Sequence, residues 1–262
     1  MADYQTIIAE RVGSVLTITL NRPERLNAAS LQLADEVRSA LYDLGDARCV
    51  LLTGAGKGFC SGADLSARGE GGPLSIAGGA HQSLQNHYNP LISQLLRLPV
   101  PLVTAVNGAA AGIGCSIALT GDFVIAADSA YFLQAFVNIG LVPDGGSSWL
   151  LTRAIGRARA TRMMMLGERI GARQAEEWGL IHRAVDDAAL MEEARALAER
   201  LAAGPTLAYA AMKRTIALAL DGTINDVLLA EAEGQGAAGA TADAMEGGIA
   251  FLQKRPARFE GR

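Results

Sequence analysis

Apolar and polar positions alternate along Val12–Leu20 (VGSVLTITL), a run rich in β-branched residues, and predict a strand. Asn21-Arg22-Pro23 ends it. Beyond Ser30, the residues Leu33, Val37, Leu41 and Leu44 recur at helical spacing, and the Ser30 hydroxyl is placed to cap that helix. A strand over Cys49–Thr53 follows, then the loop Gly54-Ala55-Gly56-Lys57-Gly58. Ser66–Gly79 has five glycines between Gly69 and Gly79 and few large apolar residues, and it reads as a mobile surface segment. Next come a helix over Leu84–Leu98, a strand over Leu102–Val106 and a turn at Asn107-Gly108. A glycine-rich entry then leads into a helix over Ile113–Thr120, followed by a strand over Phe123–Ala127. Strand–strand–helix alternation predicts a mixed α/β sheet architecture. From about Gly145 the pattern turns almost entirely helical, with helices over Met191–Leu201, Thr206–Leu220, Ile224–Ala232 and Ala242–Lys254. No Pro/Ser-rich linker separates the halves, so the helical part is expected to pack on the core or on a neighbouring copy.

Composition narrows the class. Of 262 residues, 50% are hydrophobic and 5% aromatic, with 30 glycines, so the core is built from small and aliphatic side chains. Lys and Arg number 23 against 27 Asp and Glu, a net charge of −4. With no long basic stripe, a nucleic-acid or anionic-membrane surface is not expected, and an anionic ligand needs local cationic groups. Cys49, Cys60 and Cys115 are odd in number and lie in apolar surroundings, which suits a reducing compartment better than a disulfide framework. The start MADYQTIIAERVG lacks the basic and apolar regions of a secretory signal. The nearest candidate membrane span, Leu102–Leu119, is interrupted by Asn107, Ser116 and glycines. A cytoplasmic protein is expected.

Several chemistries drop out. Gly56-Lys57 lacks the preceding glycine and following Ser/Thr of a phosphate loop. His81, His87 and His182 share no metal-ligand spacing, so no metal site is expected. No Gly-x-Ser-x-Gly elbow is present. Three segments are informative together: Gly58–Leu65, Asn107–Cys115 and Asn138–Gly146. Each sets small residues beside a turn or helix start, where free backbone N–H groups can hold developing negative charge. Two such groups aimed at one carbonyl oxygen form an oxyanion hole.

Jointly these segments resemble the enoyl-CoA hydratase/isomerase (crotonase) family. The likeness starts at Asn21-Arg22-Pro23-Glu24-Arg25-Leu26-Asn27-Ala28. It runs through Gly62-Ala63-Asp64-Leu65, Ala105-Val106-Asn107-Gly108 and Gly112-Ile113-Gly114-Cys115 to Phe251-Leu252-Gln253-Lys254-Arg255. It implies an α/β spiral of ββα units over residues 1–200 and a helical trimerisation region over residues 201–262, assembling as a trimer or a dimer of trimers. The backbone N–H groups of Ala63 and Ile113 would hold the thioester oxygen of an acyl-CoA. Arg25, Leu26 and Ala28, with Ser61, Ala63, Asp64, Leu65 and Gly112, would line the coenzyme A and substrate site. Lys254, from the same copy or a neighbouring one, would lie near the CoA phosphates. Coenzyme A would arrive as part of the substrate, with no tightly bound cofactor.

Departures from the family pattern point to the reaction. Family hydratases carry two glutamates where this chain has Ser116 and Phe136. Adding water across a double bond needs one group to activate water and another to manage the α-carbon proton. The acid that remains is Asp144, in Leu141-Val142-Pro143-Asp144-Gly145-Gly146. An acid there resembles the isomerase members of the family and one dehalogenase member, and a helix-capping aspartate is the structural alternative. One carboxylate suits isomerisation, since it can take a proton beside the thioester carbonyl and return it elsewhere. Phe136, Leu141, Val142 and Trp149 would form an apolar wall suited to an aromatic or ring-shaped acyl group. The expectation is a CoA-thioester isomerase, acting on a ring epoxide of an arylacetyl thioester to give the oxepin, or shifting enoyl-CoA double bonds. A hydratase and a non-catalytic acyl-CoA-binding member are the alternatives.

Overall fold

In the computed structural model, which describes residues 3–64 and 76–262, the first alternating run is a hairpin rather than one strand. β1 (Ile7–Val12) and β2 (Val15–Leu20) pair antiparallel, from Ile7 opposite Leu20 to Val12 opposite Val15. The turn is Gly13-Ser14, the two-residue loop that suits a hairpin. Because Val12 and Val15 flank it symmetrically, the apolar alternation continues through the bend and hides it. β1 itself is mostly exposed after Ile7, so it carries little hydrophobic signal.

Successive strands then alternate between two sheets. The first has the order β1, β2, β3 (Cys49–Gly54), β5 (Leu102–Val106), β7 (Phe123–Ala127), β10 (Arg183–Val185), and every pairing after β1–β2 is parallel. The second has the order β4 (Gly58–Cys60), β6 (Ala109–Ala111), β8 (Tyr131–Leu133), β9 (Arg169–Gly171), with β9 antiparallel. Each of β3–β4, β5–β6 and β7–β8 thus gives one strand to each sheet, which is the spiral of strand pairs. β3 and β5 are buried at every position and form the centre of the core. Parallel strands covered on both faces read as continuous apolar runs, as here. The second half is less uniformly helical than its composition implies, because β9 and β10 complete the two sheets. Each has three residues, too few to show a period.

α1 (Leu31–Tyr42) begins where predicted: Ser30 Oγ accepts from the Leu33 N–H at 3.1 Å, and Leu33, Ala34, Val37, Ala40 and Leu41 are buried. Leu65 and residues 66–75 of the glycine-rich stretch lie outside the described residues. The last four residues of that stretch open α2 (Ile76–Ser83), which continues through a π turn at Leu84–Tyr88 into α3 (Asn89–Leu96). Pro90 has no N–H to donate, and the Asn89 N–H reaches back to the Leu84 carbonyl, so the turn widens there. The short helix α4 (Ile113–Ala118) is buried throughout.

α5 (Ser147–Leu166) breaks at Gly156, and α6 (Ala172–Glu177) follows β9. α7 (Leu190–Ala202) lies across β3, β5 and β7. α8 (Thr206–Ala219) pairs with α9 (Ile224–Gly239), and α10 (Ala242–Leu252) precedes the C-terminal tail. Lys213 on α8 reaches Asp122 at 2.6 Å and the Val100 carbonyl at 3.0 Å. Arg48 binds Thr206 Oγ1 at 2.9 Å and the Phe259 carbonyl at 3.0 Å, tying both ends of the helical region to the sheet. Leu228, Leu229, Met245, Phe251 and Leu252 on α9 and α10 are exposed.

Candidate active site

Two backbone amides meet where the sheets abut. Ala63 lies opposite Ala29 in a short parallel bridge. The bridge uses the Ala29 N–H, which donates to the Gly62 carbonyl at 2.7 Å, and the Asp64 N–H, which donates to the Ala29 carbonyl at 2.9 Å. Strand geometry therefore turns the Ala63 N–H to the other side. Ile113 is the first residue of α4, so its N–H has no acceptor within the helix. Among the described residues neither amide has a hydrogen-bond acceptor. The two turns touch: a Cβ on Gly112 would lie 3.8 Å from Gly62 Cα. Gly112 precedes α4 at φ +52° and donates to the Leu133 carbonyl at 2.9 Å.

The Ala63 side is braced from behind. Arg22 Nη2 is 2.7 Å from Asp64 Oδ2, and Arg22 Nη1 donates to the Ala28 carbonyl at 2.6 Å. The Tyr88 hydroxyl donates to the Ala29 carbonyl at 2.6 Å from the end of the π turn. Asn27 is fully buried; its Nδ2 donates to the Ala55 and Gly58 carbonyls at 2.9 and 2.7 Å, and its Oδ1 accepts the Arg22 N–H at 2.8 Å. Leu26 and Asn27 both take left-handed backbone angles, φ 48° and 55°. The Ser61 N–H donates to the Leu26 carbonyl at 3.0 Å, and its hydroxyl lies 3.3 Å from the Arg25 carbonyl. Arg25, Leu26, Ala28, Ser61, Ala63 and Asp64 are thus brought together. Arg22, Asn27 and Tyr88 join them as the fixings, a role that sequence reasoning missed. The signal for Asn27 was its type, since asparagine tolerates the left-handed region and carries both a donor and an acceptor.

Asp144 approaches from the Ile113 side. The loop that carries it lies on the first turn of α4: a Cβ on Gly145 would strike Ile113 Cδ1 and lie 3.0 Å from Ser116 Cβ. Gly145 has φ +58°, so glycine is required there on two counts. The Asp144 side chain is half-buried and its Oδ1 is fully covered. Its peptide carbonyl accepts the Ser147 N–H at 3.1 Å, with the Ser147 hydroxyl at 2.8 Å and the Ser116 hydroxyl at 3.1 Å. α5 begins at Ser147 with Gly146 in the capping position, so Asp144 stands outside the cap.

Phe136 stands over Gly112, its Cζ 3.4 Å from the site of an added Cβ, and its carbonyl accepts the Leu141 N–H at 2.9 Å. Trp149 faces elsewhere. Arg153 lies 4.2 Å over its ring, and with Leu119, Leu150, Leu180 and Leu220 it lines a cleft of about 240 Å³ that includes neither Asp144 nor Phe136. Lys254, past the end of α10, makes no hydrogen bond or ion pair with these residues among the described residues of one copy.

The cysteine thiols are free and buried, and desolvation pushes Cys49, Cys60 and Cys115 up to about 12, 11 and 12. Among the described residues no cluster of His, Cys, Asp and Glu could hold a metal ion, and no helix is long and apolar enough to cross a membrane.

The family model described as enoyl-CoA hydratase/isomerase matches residues 10–262. The 1,2-epoxyphenylacetyl-CoA isomerase of Escherichia coli K12 is 46% identical over 260 residues, covering 98% of each chain. A Rhodobacter capsulatus protein named a probable enoyl-CoA hydratase is 44% identical over 260 residues, covering 99% of each. The enoyl-CoA hydratase of Bacillus anthracis superposes with a TM-score of 0.92 at 31% identity, covering 98% of this chain and 100% of that one.

Proposed function

The chain belongs to the enoyl-CoA hydratase/isomerase family, and on that footing we propose that it is a CoA-thioester isomerase with Asp144 as its proton carrier. The observation that carries this is the set of carboxylates at the junction. Ser61–Asp64, Asn107–Ala118 and Gln134–Ser147 hold two acids among them, Asp64 and Asp144. Asp64 is tied to Arg22 behind the Ala63 amide, whereas the loop that carries Asp144 packs on the first turn of α4, beside the Ile113 amide, which suits Asp144 to exchange a proton with a substrate held there.

The amides of Ala63 and Ile113 hold the thioester oxygen. Asp144 takes a proton from the carbon beside the carbonyl, and the electron pair moves onto the oxygen as an enolate, where fixed N–H dipoles stabilise it. The same proton returns at another carbon of the conjugated system, so no atoms are gained or lost. Hydration needs a second group to activate water. Ser116 is buried and bonded within the loop, and Phe136 has no acid–base group. Both observations favour isomerisation over hydration.

The likeness to the Escherichia coli enzyme favours a ring-1,2-epoxide of phenylacetyl-CoA, converted to the oxepin, with enoyl-CoA double-bond shifts using the same proton chemistry. Phe136 and Leu141 supply an apolar wall for such a ring. The reaction takes coenzyme A as the substrate's handle and asks for no other cofactor, with Arg25 and Lys254 as the cations nearest to its phosphates. The exposed apolar residues of α9 and α10 support assembly as a trimer or hexamer. Three free, buried thiols support a cytoplasmic setting.

The test is mass spectrometry and absorbance on 3-enoyl-CoA, 2,5-dienoyl-CoA and ring-epoxide thioesters with wild type and Asp144→Asn. Turnover by wild type and its loss in the variant, with acyl-CoA binding kept, are expected. Full activity of Asp144→Asn on every substrate, or rapid hydration of crotonyl-CoA by wild type, would overturn the proposal.

A further inference from the structure

We infer that Ser116, acting with Ser147, is a positioning residue that locks the proton carrier to the helix supplying one of the oxyanion amides. This deepens the isomerase reading and rests on it. Ser116 is one turn into α4 from Ile113, and both residues are buried. Its hydroxyl lies 2.7 Å from Ser147 Oγ and 3.1 Å from the Asp144 carbonyl. The Ser147 hydroxyl in turn lies 2.8 Å from that carbonyl; the two hydroxyl protons serve the two shorter contacts when Ser116 donates to Ser147 and Ser147 donates to the Asp144 carbonyl.

The arrangement fixes a peptide group rather than the carboxylate. With Gly145 at φ +58° and Gly146 at φ +79°, the chain leaving Asp144 passes through two left-handed residues in succession. Glycines restrict their own backbone least, so something outside them must hold the plane of the Asp144 peptide. The serine pair does this from two elements at once, α4 and the start of α5. A rigid link from the Ile113 amide through Ser116 to the Asp144 carbonyl sets the distance between the group that holds the enolate and the group that moves the proton. Reactions of this kind lose up to about a hundredfold for a misplacement of about 1 Å. Ser116 therefore acts through Asp144 and touches no reacting atom.

The test reads proton transfer directly, as exchange of the α-protons of phenylacetyl-CoA in deuterium oxide, followed by mass spectrometry. It compares wild type, Asp144→Asn, Ser116→Ala, Ser147→Ala and the double alanine variant. Wild type is expected to exchange and Asp144→Asn to stop. The double alanine variant is expected to lose about tenfold or more in rate at saturation, with half-saturation unchanged within about twofold. A general packing defect would raise half-saturation together with loss of rate, so the split separates positioning from structure. Ser147→Ala alone should cost more than Ser116→Ala alone, because Ser147 makes the direct 2.8 Å contact. If Asp144→Asn stops exchange while the double alanine variant keeps the wild-type rate, the positioning role is overturned alone. If wild type fails to exchange, or Asp144→Asn matches it, the isomerase reading falls with it.

Discussion

Arg22 Nη2 and Asp64 Oδ2 lie 2.7 Å apart, directly behind the residue whose amide faces the proposed thioester oxygen. The Asp64 side chain is 5% exposed and that of Arg22 18%, so the pair is largely shielded from water. Replacing Arg22 by Ala removes this partner and the hold on the Ala28 carbonyl together. Losing one member of a buried pair costs about 3–5 kcal/mol. Chemical unfolding of Arg22→Ala should show a loss of that order, and activity should fall more than acyl-CoA binding. A loss below about 1 kcal/mol would show that the pair behaves like a surface ion pair.

Gly145→Ala should be destabilising as well as inactivating. The added Cβ meets Ile113 Cδ1 and Ser116 Cβ, and alanine is strained at φ +58°. Backbone strain of this kind costs about 1–3 kcal/mol. Gly171→Ala is a matched control, since φ is −67° there and nothing lies within 4 Å of its Cβ. Thermal melting of the two variants should separate them clearly.

The three thiols should be silent in the native protein. Burial pushes Cys49, Cys60 and Cys115 up to about 12, 11 and 12, so almost no thiolate exists at pH 8. Iodoacetamide at pH 8 should label none of them in folded protein and all three after denaturation. Rapid labelling of the folded state would show an opening that reaches the core.

The C-terminal tail should be acid-sensitive. The Arg255 guanidinium, assisted by the Arg258 N–H, holds the Glu246 carboxyl down from an ordinary 4.5 to about 2. A carboxylate lowered on folding adds stability that is fully present above the unfolded value and is lost as pH falls through the folded value. The window is therefore pH 4.5 to about 2. Carbon-13 NMR titration of Glu246 should place its midpoint near the lower limit. The stability difference between wild type and Glu246→Gln should be flat at neutral pH and vanish across that window.

Light scattering should find three or six copies in solution. Phe251 and Leu252 on α10 are 84% and 81% exposed in one copy, and Leu228 and Leu229 on α9 are exposed as well. Large apolar side chains left exposed on two helices in this number point to an interaction site. Leu229→Lys should shift the mass toward the monomer, and a monomeric wild type would exclude the assembly.

Legibility followed element length and chemical type. α1 was readable from Ser30 and the Leu33–Val37–Leu41 spacing because capping and period agree there. The Gly13-Ser14 turn was hidden by symmetric valines, and β9 and β10 by their three-residue length. At the site, small residues beside turns marked the three segments that come together, while Ala63, Ile113 and Asp144 were singled out by the family resemblance. Trp149 was drawn into the Phe136 wall by proximity in sequence, but the intervening glycine pair redirects the chain, and the ring lies beside Arg153. Arg22, Asn27, Tyr88 and Ser116 act through distant carbonyls, and nothing local in their neighbours marks such partners.

The amides of Ala63 and Ile113 belong to the main chain, and every residue but proline carries one. Substitution at either position leaves an N–H in place for the proposed anion cradle, whereas the proton chemistry proposed for this chain depends on the side chain of Asp144, with those of residues 116 and 136 beside it. A scaffold divided in this way can exchange one reaction for another by changing a few side chains around an unaltered anion cradle. Redesign of this chain toward new thioester chemistry should therefore begin at those three positions and leave the two amides alone.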